Sequence, residues 1–433
     1  MADVGAEEEP PLSLPPAAAP ELLVVGTGGA PEELVVRKRG SRSRLRSPLP
    51  LASYSHAGIP TEPPAESKEQ QAPAVEAAPS WQRAWFGRLF GFEELSGDQE
   101  SYDATRDMFE LTGAVLKSKA NGRTFEAGIF ETPSLAELRA SVDLMEEQVR
   151  FPGPLRVSEV IADVSKLHTL PENRFALFQC ASQFNCLEFC SPSATPEEGV
   201  TRYSFDRTQG PACATACAPS TVVRNYFALG GLGQTCSRQV ENLRDVEELL
   251  NKEEDRYFVV HAGYVNATNG SLRRLTKRLL KDDALSQEIV ARIRIGLQWD
   301  TEVTGWGFGR HMYEGPQQLV NQAYCAACSV SYSQADPKYW TVFAMLVLEA
   351  AYEATMYAAV MNAMRHGGKH ASRRVYITAL GGGVFGNRSE WILAAMRKAF
   401  DRFRGIGLEV VLVSFERPWT EAAPLLGEYH GYL

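Results

Sequence analysis

The sequence predicts an α/β protein whose central sheet is mixed and flanked by helices. From Val157 onward, short runs rich in β-branched and aromatic residues alternate with amphipathic segments, the pattern of strand and helix units in series. A long segment from about Pro337 to Arg365 is small or apolar nearly all round, which predicts a buried central helix. These two observations define the fold class, with elaborations expected at the N-terminus and inside the domain.

Three regions are predicted along the 433 residues. Residues 1–80 are rich in Pro, Ala, Glu and Ser and predict a disordered tail, since they offer little apolar surface to bury. Their basic run, residues 37–46, is either a solvated charge run or a nuclear address or docking site. Residues 81–155 predict an α+β lead-in packed on the core. Residues 156–433 predict the main domain, with an insertion at about 228–320.

Composition excludes several classes of function. The net charge of -9 argues against nonspecific nucleic-acid binding, which needs a basic surface. No run approaches eighteen apolar residues, so no membrane span is expected. The first residues lack the basic start and apolar core of a secretory signal, so a cytoplasmic location and reduced thiols at the eight cysteines are expected.

Residue patterns in the first half of the chain predict a series of helices and strands. Residues 100–150 predict a helix, a hairpin around Asn121 and Gly122, and a second helix. The run FALFQCASQFNCLEF, residues 175–189, predicts a strand. Gln209 and Gly210 then precede a predicted helix, where their amides could face an anion.

A glycine-rich turn follows the next predicted strand, residues 375–380. Gly381, Gly382, Gly383 and Gly386 let the backbone turn sharply and approach a ligand, and the predicted helix after them presents its N-terminus. The pattern therefore predicts a phosphate-binding loop. The alternative is a glycine-rich connection without a ligand. Residues 408–415, LEVVLVSF, predict the closing strand.

Acidic residues are concentrated before the first candidate phosphate-facing helix, at Glu188, Glu197, Glu198 and Asp206. Breaking an N-glycosidic bond to ribose develops positive charge, which one carboxylate can stabilise while another orients or deprotonates water. Asp206 is the first candidate because it lies shortly before Gln209. Glu198 and Glu188 are candidate clamp or water-orienting partners, and the alternative for Glu197 and Glu198 is a solvated loop pair.

Two further acidic residues, Asp300 and Glu302, lie beside Trp299 and Trp306. They are expected either to line the side of the site that receives a target arginine or to form a surface turn.

No metal site or cofactor is predicted. Cys325 and Cys328 are spaced like a metal or redox pair, but no second such pair exists, and buried thiols are the expected state. The seven histidines form no HExxH pattern or close cluster.

Several of these strings together resemble the macrodomain family. ADVSKL (162–167), ASQFN (181–185) and ALGGGVFGN (379–387) resemble its adenine-binding, ribose-binding and second phosphate-loop segments. SQFNCLEF, PEEGVTRYSFDRTQGPACA and RNYF resemble more particularly the MavL-type branch, which removes ADP-ribose from arginine. The resemblance covers roughly residues 85–420. The chain departs from common macrodomains in lacking their NAAN and GGGGV strings.

The resemblance implies a set of ligand contacts. Asp163 would accept a hydrogen bond from adenine, Asn185 would contact the distal ribose, and the Phe385 ring would lie against that ribose. Amides from both sides would hold the diphosphate. The implied substrate-binding residues are Asp163, Asn185, Gln209, Gly210, Gly382, Gly383, Val384, Phe385, Gly386 and Asn387, with Asp300 and Glu302 added from the acidic pattern.

The functional prediction is a macrodomain-like hydrolase that removes ADP-ribose from modified arginine side chains, with Asp206, Glu198 and Glu188 as catalytic residues. The expected partners are ADP-ribose and an ADP-ribosylated protein, with no nucleic acid and no membrane. A binding module that recognises ADP-ribosylated proteins without cleaving them is the main alternative. A hydrolase of another ADP-ribose linkage is the third, because phosphate loops alone cannot separate the three.

Overall fold

The computed structural model describes residues 81–251 and 256–429. The predicted tail, with its basic run, lies outside these residues. The helices are α1 (Trp81–Phe90), α2 (Gln99–Asp107), α3 (Leu135–Ser141), α4 (Leu144–Arg150), α5 (Val164–Thr169), α6 (Gln209–Ala216), α7 (Ala218–Tyr226), α8 (Arg244–Leu250), α9 (Asn269–Leu279), α10 (Asp283–Arg292), α11 (Pro337–Arg365), α12 (Ser389–Arg402) and α13 (Ala423–Tyr429).

Short strands accompany these helices throughout the described residues. They are β1 (Phe109–Thr112), β2 (Val115–Ser118), β3 (Thr124–Glu126), β4 (Ile129–Glu131), β5 (Arg156–Ile161), β6 (Leu177–Ser182), β7 (Val259–His261), β8 (Tyr264–Asn266), β9 (Gly296–Glu302), β10 (Gly305–Trp306), β11 (His311–Met312), β12 (Leu319–Ala326), β13 (Arg374–Ile377) and β14 (Glu409–Ser414).

One seven-stranded sheet organises the fold, with the strand order β4-β9-β12-β6-β13-β14-β5. The five strands from β12 to β5 are parallel, whereas β9 runs antiparallel to both β12 and β4. The predicted mixed sheet flanked by helices is thereby confirmed. All five parallel strands end at one edge, where α/β sheets bind their ligands.

Successive side chains of β6 point to opposite faces of the sheet and pack in two different cores. Leu177 faces the core built around α11 and α12, whereas Phe178 and Cys180 face the core beneath α5 and α6. Tyr376 of β13 stacks on Phe178, with ring centroids 4.6 Å apart. Because both faces are covered, the central strands β6 and β12 are buried along almost their whole length, as expected for a parallel sheet.

Helix α11 is the central buried helix that the sequence predicts. Of the described helices it alone is long and apolar enough to cross a membrane by composition, and 78% of its most apolar eighteen-residue window is buried inside the protein. It packs against α12, β12 and β6. Its apolar character therefore serves the core.

The lead-in and the predicted insertion both contribute to the main sheet. An aromatic cluster that includes Phe86, Phe90 and Phe109 joins α1 and β1 to Val222 of α7. The predicted hairpin at Gly122 is the connection between β2 and β3. Strand β4 of the lead-in and strand β9 of the insertion then lie side by side at one edge of the sheet.

The strand predicted over 175–189 is shorter than expected, because β6 ends at Ser182. The Asn185 side chain accepts a hydrogen bond from the Leu187 amide at 3.0 Å, and Cys186 takes a positive φ of 58°. This local turn replaces strand pairing after Ser182. It redirects the chain so that Glu188 comes back under the carboxyl edge.

Candidate functional site at the carboxyl edge of the sheet

Strands β6 and β13 separate at the carboxyl edge of the sheet, and the region around their diverging ends is called the cleft below. Their pairing stops at Phe178 and Tyr376, whereas β6 continues to pair with β12 as far as Ser182. The Gln209 side chain bonds the freed edge of β6: its Nε2 donates to the Gln179 carbonyl at 2.8 Å and its Oε1 accepts from the Ala181 amide at 2.7 Å. The start of α6 is thereby fixed beside the strand end.

Gly210 permits the close approach of α6 to β6. A Cβ at this position would lie 1.9 Å from the Ala181 carbonyl oxygen and 2.2 Å from Glu188 Oε2. Only glycine avoids both collisions, because the first of them is with backbone. Gly210 therefore sets the distance between the helix start and the Glu188 carboxyl group.

Replacing Gly210 with alanine is expected to lower the melting temperature by several degrees, since overpacking typically costs about 1–3 kcal/mol. The same change displaces Glu188 and should reduce any turnover more than tenfold. Thermal melts and ligand turnover measure the two effects. Gly427→Ala in α13 is the matched control because nothing lies within 4 Å of the added Cβ. Unchanged stability and turnover in Gly210→Ala would contradict this assignment.

Glu188 is a buried carboxyl group with an incomplete set of partners. Its side chain is 2% exposed, and its Oε1 has no hydrogen-bond partner. Its amide donates to the Tyr203 hydroxyl at 2.9 Å, which fixes the backbone. Burial raises the pKa of Glu188 well above its ordinary value, and the charge of Asp206 adds to this, whereas the Ser182 hydroxyl and Arg224 oppose it. The fold therefore favours the protonated form of the Glu188 carboxyl group.

Asp206 lies near Glu188, just before α6. Its Oδ1 accepts a hydrogen bond from the Thr208 amide at 2.9 Å. Burial raises the pKa of Asp206, and the bonds from Thr208 oppose this. Its charge also raises the pKa of Tyr332 and of Cys190, in each case after the larger effect of burial. These groups therefore share one acidic pocket at the cleft.

The C-terminal end of the glycine loop is held against the segment after β12. Asn387 Nδ2 donates to the Cys328 carbonyl at 2.8 Å, and the Ser331 amide donates to the Phe385 carbonyl at 3.0 Å. Gly386 has a φ of 73°, and a Cβ there would lie 2.1 Å from Ser331 Oγ. Ahead of these anchors, Gly382, Gly383 and Val384 are exposed. The loop is thus fixed in place with its tip open to solvent.

The Phe385 ring closes the inner side of this loop. Its centroid lies 5.5 Å from that of Tyr264 and 5.7 Å from that of Tyr332. Tyr264 donates through its hydroxyl to the Phe189 carbonyl at 2.8 Å, next to Glu188. The aromatic wall therefore runs from the glycine loop to the acidic pocket.

Asp163 lies at the other end of the cleft, where it caps α5. Its Oδ1 accepts from the Ser165 amide at 2.9 Å and from the Ser165 hydroxyl at 2.6 Å. Two exposed apolar residues flank it: Ile161 is 49% exposed at the end of β5, and Phe415 is 68% exposed just after β14. Exposed apolar side chains beside a carboxylate suit the face and edge of a nucleobase.

Three of the predicted residues are engaged in hydrogen bonds to loop segments. Asn185 Nδ2 donates to Gln239 at 3.0 Å, in addition to the turn bond at its oxygen. Glu197 accepts from the Cys236 amide at 2.8 Å and 3.1 Å. Glu198 accepts from the Thr195 amide at 3.0 Å and forms an ion pair with Arg202. Their polar groups hold the loop before α6 in shape, while Glu188 and Asp206 meet at the cleft.

Asp300 and Glu302 lie at the opposite edge of the sheet, so the predicted lining role requires correction. Strand β9 runs antiparallel to β12, which places Glu302 opposite Leu319 at the amino end of β12. Asp300 pairs with Arg365 at 2.8 Å and lies 3.0 Å from His366 Nε2, at the end of α11. The direction of β9 is a tertiary property that the acidic pattern does not reveal.

Asp300→Asn is expected to cost about 1 kcal/mol of stability without altering turnover, since it removes a partly exposed ion pair. Burial raises the pKa of Asp300, but His366 and Arg365 together outweigh it, so the folded-state pKa is lowered. The stabilisation is therefore present above the unfolded pKa and lost as the pH falls through the folded pKa. Denaturant unfolding should show a constant difference between the proteins above about pH 5 that shrinks below about pH 4. Asparagine tolerates the positive φ of 55° at this position. Reduced turnover with unchanged stability would contradict this placement.

Several cleft residues escape prediction from the sequence, among them Tyr203, Tyr264, Tyr332 and Phe415. Their only sequence signal is an aromatic residue next to a strand end or loop, which is too common to single them out. Within 81–251 and 256–429, no group of three or more histidine, cysteine, aspartate or glutamate residues is arranged to hold a metal ion.

The fold and cleft together define a mixed α/β protein with an elongated site at the carboxyl edge of its sheet. No protein-family model and no curated protein sequence matches the chain. Solved structures with a similar course of the chain include poly(ADP-ribose) glycohydrolase from Deinococcus radiodurans in complex with ADP-ribose. That structure has 10% identity and a TM-score of 0.39, and the match covers 69% of this chain and 95% of that one.

The glycohydrolase from Thermomonospora curvata is similar at 15% identity and a TM-score of 0.36, covering 73% of this chain and 93% of that one. The same enzyme bound to the inhibitor ADP-HPD is similar at 13% identity and a TM-score of 0.33, with coverage of 76% and 96%. Because these TM-scores lie below 0.5, function is inferred from the residues of the cleft.

Proposed function

We propose that this protein hydrolyses the bond between ADP-ribose and an arginine side chain of a modified protein. The observation that carries the proposal is Glu188, which is 2% exposed and leaves Oε1 without a partner beside Asp206. Buried polar atoms are normally hydrogen-bonded, so an unsatisfied buried carboxyl oxygen beside a second acidic group supports a chemical role.

The cleft has a suitable position for each part of ADP-ribose. The adenine ring would lie by Asp163, between Ile161 and Phe415. The diphosphate would lie between the start of α6 and the exposed glycine loop, where backbone amides can donate to it. The distal ribose would then lie against Phe385 and reach the acidic pocket.

Two carboxyl groups in different protonation states suit the reaction. A water oxygen forms a bond to C1″ of the distal ribose as the C1″–N bond breaks, and the bonding electron pair leaves with the guanidine nitrogen. Asp206 takes a proton from the water, and Glu188 gives its proton to the departing guanidine. The proton on Asp206 then returns to Glu188, so the products are ADP-ribose and a guanidinium group. Negative charge in the pocket also favours the cationic substrate.

Release of ADP-ribose from matched substrates tests the proposal. Proteins or peptides carrying a single ADP-ribose on arginine, glutamate or serine are incubated with the full chain, with poly(ADP-ribose) in parallel. Release from the arginine linkage alone is the expected result. Release from another linkage would mean that the same pocket acts on that substrate instead. Tight binding of ADP-ribose without release from any of these substrates would make the protein a binding module.

Phe415→Ala is expected to weaken ADP-ribose binding about tenfold, since base stacking on an aromatic ring contributes about 1–3 kcal/mol. Calorimetric titration with ADP-ribose measures the change. Met145→Ala is the control because Met145 is equally apolar, 80% exposed and on α4 at the other edge of the sheet. Equal affinity of the two variants for ADP-ribose would show that Phe415 does not contribute to adenine binding.

A further inference from the structure

Helix α9 presents a basic face on a protein whose net charge is -9. Its apolar face is buried through Leu272, Leu275 and Leu279, so the cations between these residues point outward. No acidic residue occurs between 269 and 281. The term basic strip is used here for Arg273, Lys277, Arg278 and Lys281, together with Lys338 in the first turn of α11.

The basic strip begins at the rim of the cleft. Strand β8, which carries Tyr264, leads directly into α9, and the Asp336 amide donates to Asn269 Oδ1 at 2.7 Å. The segment before α11 also holds the glycine loop through the bond from Ser331 to Phe385. The strip therefore starts beside the aromatic wall, at the end of the cleft assigned to the distal ribose.

One aromatic ring links the two helices of the strip. The Arg273 guanidinium lies 4.5 Å from the Tyr339 ring centroid, and Lys338 Nζ lies 5.0 Å from the same centroid. Asp336 neutralises Lys338 through an ion pair at 2.8 Å. At the far end the strip stops at Asp282, which caps α10. The charge is thus concentrated along α9 and bounded by acids at both ends.

We propose that the basic strip binds an acidic segment of the protein that carries the ADP-ribosylated arginine. This inference rests on the proposed function, because the chain of the modified protein must extend out of the cleft at the end where the distal ribose lies. The interval from Arg273 to Lys281 is about 12 Å at the rise of an α-helix. An extended peptide of about four residues spans that distance. Acidic residues close to the modified arginine in sequence would therefore reach the strip.

A protein partner fits the strip better than a nucleic acid does. A duplex needs phosphate contacts spread over a broad basic surface, whereas this strip is confined to the α9 segment and the first turn of α11 in an acidic protein. Charge complementarity of this kind raises the association rate and selects among partners. The strip would accordingly set which modified proteins are processed rather than how the bond is broken.

Three substrates distinguish the contribution of the basic strip from that of the cleft. They are free ADP-ribosylarginine, a peptide with ADP-ribosylarginine followed by six glutamates, and the same peptide with six glutamines. At low salt the wild-type kcat/KM is expected to be about tenfold higher for the glutamate peptide, and the preference should fade as salt rises. Lys277→Glu/Lys281→Glu should abolish the preference and leave turnover of free ADP-ribosylarginine unchanged.

A second pair of charge reversals is the matched control. Lys119→Glu/Lys369→Glu reverses two exposed cations outside the strip and should retain the tenfold preference. Equal use of both peptides by the wild type, or a preference that survives in Lys277→Glu/Lys281→Glu, would overturn the proposal while leaving the hydrolase intact.

Direct measurement of peptide binding tests the basic strip independently of the proposed hydrolase activity. If no substrate is turned over, fluorescence anisotropy with the labelled glutamate and glutamine peptides still compares the wild type with Lys277→Glu/Lys281→Glu. Tighter binding of the glutamate peptide that depends on these lysines supports the strip. A twenty-base-pair RNA duplex that binds more tightly than the glutamate peptide through the same lysines would replace the protein partner with a nucleic acid.

Discussion

Glu188→Gln is expected to lower the rate of ADP-ribose release by about 100- to 10,000-fold, the usual contribution of a general acid. Glutamine matches the shape of the protonated carboxyl group, so the contact between Gly210 and the side chain is kept. The amide has no acidic proton to give to the departing guanidine. Single-turnover kinetics measure the rate, and calorimetry should show ADP-ribose affinity within about threefold of wild type.

Glu147→Gln is the matched control for this variant. Glu147 is also 2% exposed, and its Oε2 also lacks a hydrogen-bond partner, but it lies on α4 beside Arg150. It should therefore retain full activity. A Glu188→Gln protein as active as Glu147→Gln would exclude Glu188 from the chemistry.

The stability of Glu188→Gln provides a readout that does not depend on activity. The folded state holds the Glu188 proton more tightly than the unfolded chain, because the pKa of Glu188 is raised. Its contribution to stability is therefore present below the unfolded pKa and lost as the pH rises through the folded pKa. The melting temperature of Glu188→Gln should rise relative to wild type as the pH rises above the ordinary pKa of glutamate, and an unchanged difference would show that the fold does not raise the pKa of Glu188.

Asp206→Asn is expected to reduce turnover at least 100-fold at neutral pH, since it removes the group that accepts the water proton. Asparagine keeps an oxygen that can accept the bond from the Thr208 amide, so the start of α6 should stay in place. Circular dichroism and ADP-ribose binding check that the cleft is intact. Full turnover in this variant would leave the water without an assigned base.

The pH profile sharpens the Asp206 prediction. The wild-type rate should fall on the acid side as Asp206 takes up a proton, at a pH above the ordinary aspartate pKa because burial raises it. The rate should fall on the alkaline side as Glu188 ionises. In Asp206→Asn the acid limb should disappear, and the alkaline limb should move to lower pH because the charge that helps raise the pKa of Glu188 is gone. A profile identical to wild type would contradict the pairing.

Local patterns in the sequence determined much of the fold. Patterns of apolar residues predict β13, α12 and the buried helix α11, and the structure contains all three. The glycine turn between β13 and α12 is also local, because positive φ at Gly381 and Gly386 favours glycine whatever surrounds the loop. The concentration of acids before α6 likewise indicates where Glu188 and Asp206 meet.

Tertiary structure alone decided which acidic side chains reach the cleft. Glu198 and Asp206 look alike in sequence, yet Glu198 pairs with Arg202 and the Thr195 amide, while Asp206 lies near the buried Glu188. The antiparallel direction of β9 carries Asp300 to the far edge, and the turn at Asn185 brings Glu188 back beneath α6. Composition and spacing fix the preferences of each segment, but the direction of a strand and the partner of a carboxylate depend on residues distant in the chain.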